Sequence, residues 1–152
     1  LVYEAMEAHG GAGFVEESPL PRMFRQSPLN AIWEGSGNVI ALDTLRALSR
    51  DPESREALLA CLARGKGQNA ALDALIGRIE ASLAGGIGEA DARRFSEEAA
   101  LALSALALMD AGLDAASDAF LARRIASQST TLGAGHGQID TEKLIERGRL
   151  AV

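Results

Sequence analysis

Leu72, Leu75, Ile76, Ile79 and Leu83 recur at steps of three and four residues, a spacing that lines one face of an α-helix. The same step returns in Val39, Leu42, Leu45 and Leu48, and again in Phe95, Ala99, Ala102, Leu106 and Met109. Alternating β-branched runs, the mark of a half-buried strand, are nearly missing. The fold class predicted is all-α, a helical bundle whose many Ala and Leu residues permit close helix packing. With 152 residues, 47% of them hydrophobic, one domain can bury a substantial core.

In chain order, the pattern predicts a helix end over Leu1 to Ala8, stopped by Gly10, Gly11 and Gly13 and followed by a tight turn. Pro19 and Pro21 lead into a short helix bearing Met23 and Phe24, which Pro28 closes. A helix follows Ser36 and ends at Asp51-Pro52. Further helices run from Pro52 to Ala63, along the Leu72 to Leu83 stripe, from about Glu89 to Ala111, and from Ala115 to Gln128. Gly85-Gly86-Ile87-Gly88 and Gly112 interrupt them, and a short polar helix occupies the stretch from Asp140 to Val152.

Charge and composition exclude several function classes. Fifteen Lys and Arg against 21 Asp and Glu give a net charge of −6, which disfavours general binding to nucleic acid or anionic membranes. The most apolar stretch, Ala99 to Met109, is far shorter than the roughly 20 residues of a membrane span. Glu4 and Glu7 break any signal-peptide pattern. Cys61 is the one cysteine, so no intrachain disulfide forms, and its leucine neighbours predict a buried, inert thiol. These features fit a cytoplasmic protein. Gly11-x-Gly13 lacks both a preceding strand and a third glycine, and Gly65-Lys66-Gly67 lacks a following Ser or Thr, so neither is a nucleotide-phosphate loop. His9 and His136 have no ligand-spaced neighbours, and no metal site is expected. Arg22 and Arg25 read as surface or interface charges.

The chemistry concentrates in Ile32-Trp33-Glu34-Gly35-Ser36-Gly37-Asn38. A carboxylate between two bulky apolar residues loses water, which penalises its charged form and suits it to act as a base. Gly35 lets a ligand approach the backbone, and the helix start after Ser36 favours phosphate or hydroxyl oxygens. The same residues also fit an ordinary loop-to-helix junction whose Glu34 faces solvent.

His9-Gly10-Gly11-Ala12-Gly13-Phe14, then Glu17, Pro19 and Arg25, then Ile32-Trp33-Glu34-Gly35-Ser36, resemble the C-terminal helical domain of acyl-CoA dehydrogenases. The likeness is greatest to the AidB-like branch of that family and is collinear from Leu1 to about Leu48, with only helical layout in common beyond. It implies an FAD-dependent enzyme that dehydrogenates acyl-CoA thioesters. Glu34 matches the family's catalytic base, and Gly35 a residue beside the bound acyl-CoA. Ser36, Gly37 and Asn38 match a segment touching the adenosine-diphosphate part of FAD. Glu7, Ala8, His9, Gly10 and Gly11 match a second FAD-contacting segment, which in the family reaches across a subunit interface. Glu7 departs from the glutamine common there, and an anion sits poorly beside phosphates.

The resemblance divides the chain into residues 1–50, carrying the FAD and catalytic-glutamate part, and residues 51–152, an additional AidB-like helical region. The uncapped opening at Leu1 reads as a piece of a longer protein. The parent is expected to be a homo-oligomer, a tetramer by family analogy, that passes electrons to an acceptor flavoprotein. The isolated chain is expected to hold FAD poorly and to self-associate through its exposed former interface. The alternative implied by the same branch is a flavoprotein that binds DNA and protects it from alkylation. Arg46, Arg50, Arg123, Arg124, Arg147 and Arg149 would carry that contact, although Asp51, Glu53, Glu56 and Glu146 are interspersed.

Overall fold

The computed structural model describes residues 1–127 and 139–149. His136 with its glycine turn, and the end of the predicted Ala115 to Gln128 helix, lie outside them. Among the described residues every regular element is helical, as the periodicity predicts. The chain divides into two compact units, Leu1–Asp43 and Thr44–Val152.

The first unit is built from short helices. Helix α1, Val2–Ala8, ends at His9, and the left-handed Gly10 (φ 57°) turns the chain into the single-turn helix α2, Gly11–Phe14. The glycines therefore do more than stop a helix. Gly13 is buried against α1, and a Cβ there would lie 2.9 Å from both the carbonyl carbon and Cα of Met6. Only a hydrogen fits between these backbones. Helix α3, Leu20–Gln26, follows, with Pro21 in its first turn, where the missing N–H has no helical partner to lose. Arg25 on α3 makes paired contacts of 2.6 and 3.0 Å to Glu16, fixing the preceding loop. The helix ends at Gln26, just before Pro28, as expected, but Pro28 has a second role. It opens a 3₁₀ turn, Ser27–Ala31, because proline is tolerated in a first turn.

Helix α4, Gly37–Arg50, is followed at once by α5, Pro52–Ala63. The Asp51 side chain between them accepts from the Glu53 N–H and the Ser54 hydroxyl. Asn69 caps α6, Ala70–Gly85, accepting from the N–H groups of Ala71 and Leu72 at 2.9 and 3.2 Å. The predicted Leu72, Leu75, Ile76, Ile79 and Leu83 stripe is buried along its length. Against it packs α7, Ala92–Asp110, through Phe95, Ala99, Ala102, Ala105 and Leu106, with Leu62 and Leu121 completing the core of the second unit. The small side chains on α7 let the helices approach closely. Gly65, in the turn before α6, sits inside this core: a Cβ there would come 2.7 Å from Leu106 Cδ2.

Glu98 of α7 ties the pair further, meeting Arg78 of α6 at 3.0 Å and Arg94 at 3.5 Å. Gly112, at φ 66°, ends α7. The helix expected from Ala115 is α8, Asp114–Phe120, which widens into a π-helical turn over Leu121–Ile125. Helix α9, Thr141–Gly148, starts one residue later than read from the sequence because Asp140 caps it through the Lys143 N–H. Cys61 is half-buried rather than buried, and Arg64 donates to its sulfur at 3.3 Å. No described helix is long and apolar enough to cross a membrane, and no described group of His, Cys, Asp and Glu could hold a metal ion.

Candidate functional site

Two segments of the first unit carry the residues singled out in the sequence. Glu7, Ala8, His9, Gly10 and Gly11 lie where α1 turns into α2, and all are exposed. The Gly10 N–H closes the turn on the Glu7 carbonyl at 3.0 Å. A Cβ at Gly10 or Gly11 would meet nothing within 4 Å, so this turn stands open to a ligand.

The second segment links the 3₁₀ turn to α4. The Ile32 and Trp33 N–H groups both donate to the Leu29 carbonyl, and the Gly35 N–H donates to that of Ile32. This tight path needs Gly35 at φ 114°, a conformation that side chains with a Cβ rarely adopt. Ser36 follows, and its carbonyl accepts the Ile40 N–H at 3.1 Å, the first bond of α4. The first-turn N–H groups of a 14-residue helix thus come directly after Glu34-Gly35-Ser36, an arrangement suited to negatively charged oxygens.

The expected water exclusion around Glu34 is absent from this chain. Ile32 and Trp33 are 64% and 67% exposed, and Glu34 itself is exposed. Phe14, Met23, Phe24, Leu29, Val39 and Ile40 are exposed as well. Three other cations pair with acids, Arg64 with Asp110, Lys66 with Glu80, and Lys143 with Asp140.

Residues 1–49 match the family model of the acyl-CoA dehydrogenase C-terminal domain. Over that stretch the chain is similar to this domain. The chain is 44% identical over 83 residues to AidB of Escherichia coli (strain K12), an acyl-CoA dehydrogenase-type protein, across 55% of this chain and 15% of the relative. It is 43% identical over 49 residues to acyl-CoA dehydrogenase family member 11 of Caenorhabditis elegans, across 32% of this chain and 8% of the relative. This chain therefore spans a small part of either relative's length. The AidB likeness runs over 83 residues, so it is longer than the motif-bearing stretch that ends near Leu48.

The sequence missed the role of Gly13. Its backbone contact with Met6 spans only seven positions, yet nothing in a glycine's identity says which neighbour it admits.

Proposed function

We propose that this chain is the C-terminal part of an FAD-dependent acyl-CoA dehydrogenase, in which Glu34 takes the α-proton of an acyl-CoA thioester. The observation that carries the reading is the junction itself: a carboxylate, a glycine held at φ 114°, then the start of a 14-residue helix, all inside the family-matched segment.

The residues fit the cofactor in chemical type. The α4 start offers backbone N–H donors for a diphosphate, with Ser36, Gly37 and Asn38 along it, and the Gly10-Gly11 turn leaves room for an approaching group. Glu7 is the poorest member of the set, since its charge repels phosphate. When bound, FAD supplies the two-electron acceptor for hydride leaving the acyl β-carbon. The Glu34 carboxylate accepts the α-proton, so that the thioester becomes its α,β-unsaturated counterpart. Gly35 holds the backbone clear of the acyl group. Exposed Ile32 and Trp33 gain the dry surroundings the base needs when the rest of the enzyme covers them. Assembly as a homo-oligomer and transfer of electrons to a second flavoprotein belong to this same reading.

The test is anaerobic addition of a panel of acyl-CoAs to the full-length flavoprotein, followed in the visible spectrum. One of them should bleach the oxidised flavin band. Glu34→Gln should keep the flavin and slow the bleaching by at least ~10²-fold, the usual weight of a positioned base. Bleaching at the parent rate in that variant overturns the assignment of Glu34.

A further inference from the structure

The second unit contains a cleft separate from the candidate site. It is lined by Leu45, Leu48 and Ser49 of α4, Arg55 of α5, Leu83 of α6, and Gly86 and Ile87 beyond it. Its volume is about 130 Å³, comparable with the roughly 150 Å³ engineered cavity that admits benzene. Leu45, Leu48 and Ile87 reach the core with one side and leave the other to the cleft.

Arg55 supplies the polar element. Its Nη2 donates to the Leu83 carbonyl at 2.7 Å, across 28 positions of sequence. That carbonyl lies in the last turn of α6, where helix carbonyls lack an internal partner and a cation is favoured. The bond holds the guanidinium at the rim and uses one of its five N–H donors. Ser49 gives its own hydroxyl hydrogen to the Arg46 carbonyl, so it offers the cleft only an acceptor. The walls are hydrocarbon, the anchored charge is positive, and the fork geometry of a guanidinium matches a carboxylate.

We propose that this cleft binds a short aliphatic carboxylate, its branched or straight tail against Leu45, Leu48 and Ile87 and its carboxylate on Arg55. The proposal is independent of the dehydrogenase reading, since none of its residues lies in that site.

Isovalerate titrated into the uniformly ¹⁵N-labelled chain, followed by amide chemical shifts, tests it. Saturable shifts confined to residues around 48–49, 55 and 83–87 are expected, with a dissociation constant on the order of 1 mM. The uncharged isostere isovaleramide should bind at least about tenfold more weakly to the same protein, a comparison that involves no mutation. Arg55→Gln should weaken isovalerate to a similar degree while its spectrum keeps the dispersion of the parent. Absence of saturable shifts up to about 20 mM overturns the proposal. So do equal affinities for acid and amide.

Discussion

The two units use their apolar residues in opposite ways. Among the described residues, every buried hydrophobic side chain except Ala41 lies after Thr44. Every exposed large one except Leu103 and Ile145 lies before it. Both units are helical and come from one chain, so composition does not separate them. Length does. Helices α6 and α7 have 16 and 19 residues, enough turns to bring a whole stripe of side chains against a partner. Helices α1, α2 and α3 have 7, 4 and 7, too few to cover one another's apolar faces. The family-matched segment thus leaves its large apolar side chains exposed in this chain, whereas the second unit completes its own interior.

Substitutions can break or sharpen this contrast. The largest effect is expected for Phe95→Ala, which empties a fully buried position in the core of the second unit. A loss of about 3–5 kcal/mol should appear as a lower urea midpoint for the second unit. Gly13→Ala comes next, since its methyl must displace the backbone of Met6; overpacking of this kind costs about 1–3 kcal/mol. Amide exchange should speed up in α1 and α2, and unchanged protection there would mean that the first unit gains little from this contact.

Asn69→Ala removes the α6 cap and should cost about 1 kcal/mol at every pH, because an amide does not titrate. The aspartate caps behave differently. The Ser54 hydroxyl beside Asp51 holds that carboxyl below its ordinary 3.8, and the Lys143 N–H does the same for Asp140. Their contribution is present above the unfolded-state value and is lost as pH falls through the lowered one. Acid titration should therefore release the Glu53 and Lys143 amides while leaving Ala71 bonded. The smallest effect is expected for Trp33→Ala. Although tryptophan is the largest side chain, its exposure predicts a change within about 0.5 kcal/mol in this chain alone. A loss comparable to that of Phe95→Ala would erase the distinction between the units.

Much of the second unit was legible from periodicity, because stripes such as Leu72 to Leu83 repeat over several turns and every member is buried. Asp51-Pro52 and Gly112 were equally plain, since proline and a left-handed glycine act locally. Three features were not. Pro28 does follow the end of α3, but that its ring also opens a 3₁₀ turn does not follow from sequence alone. The π turn at Leu121–Ile125 shifts one residue of register without disturbing the apolar pattern. At Glu34, sequence leaves both a desolvated base and a solvent-facing junction open; in this chain the second holds, with Ile32 and Trp33 exposed beside it. The motif located the segment, but its environment depends on contacts the local sequence does not specify.

The placement of the core between Leu62 and Leu121 also shapes the chain's response to temperature. Heat capacity rises on unfolding in proportion to the apolar surface newly wetted, ordinarily by about 12–15 cal/mol/K per residue. Leu1–Asp43 has already wetted most of that surface in the folded state. Calorimetry of this chain should accordingly show an increment well below that norm when divided by its full length, nearly all of it arising from the second unit. A flatter stability curve follows, with less tendency to unfold in the cold than a fully cored helical protein of the same size.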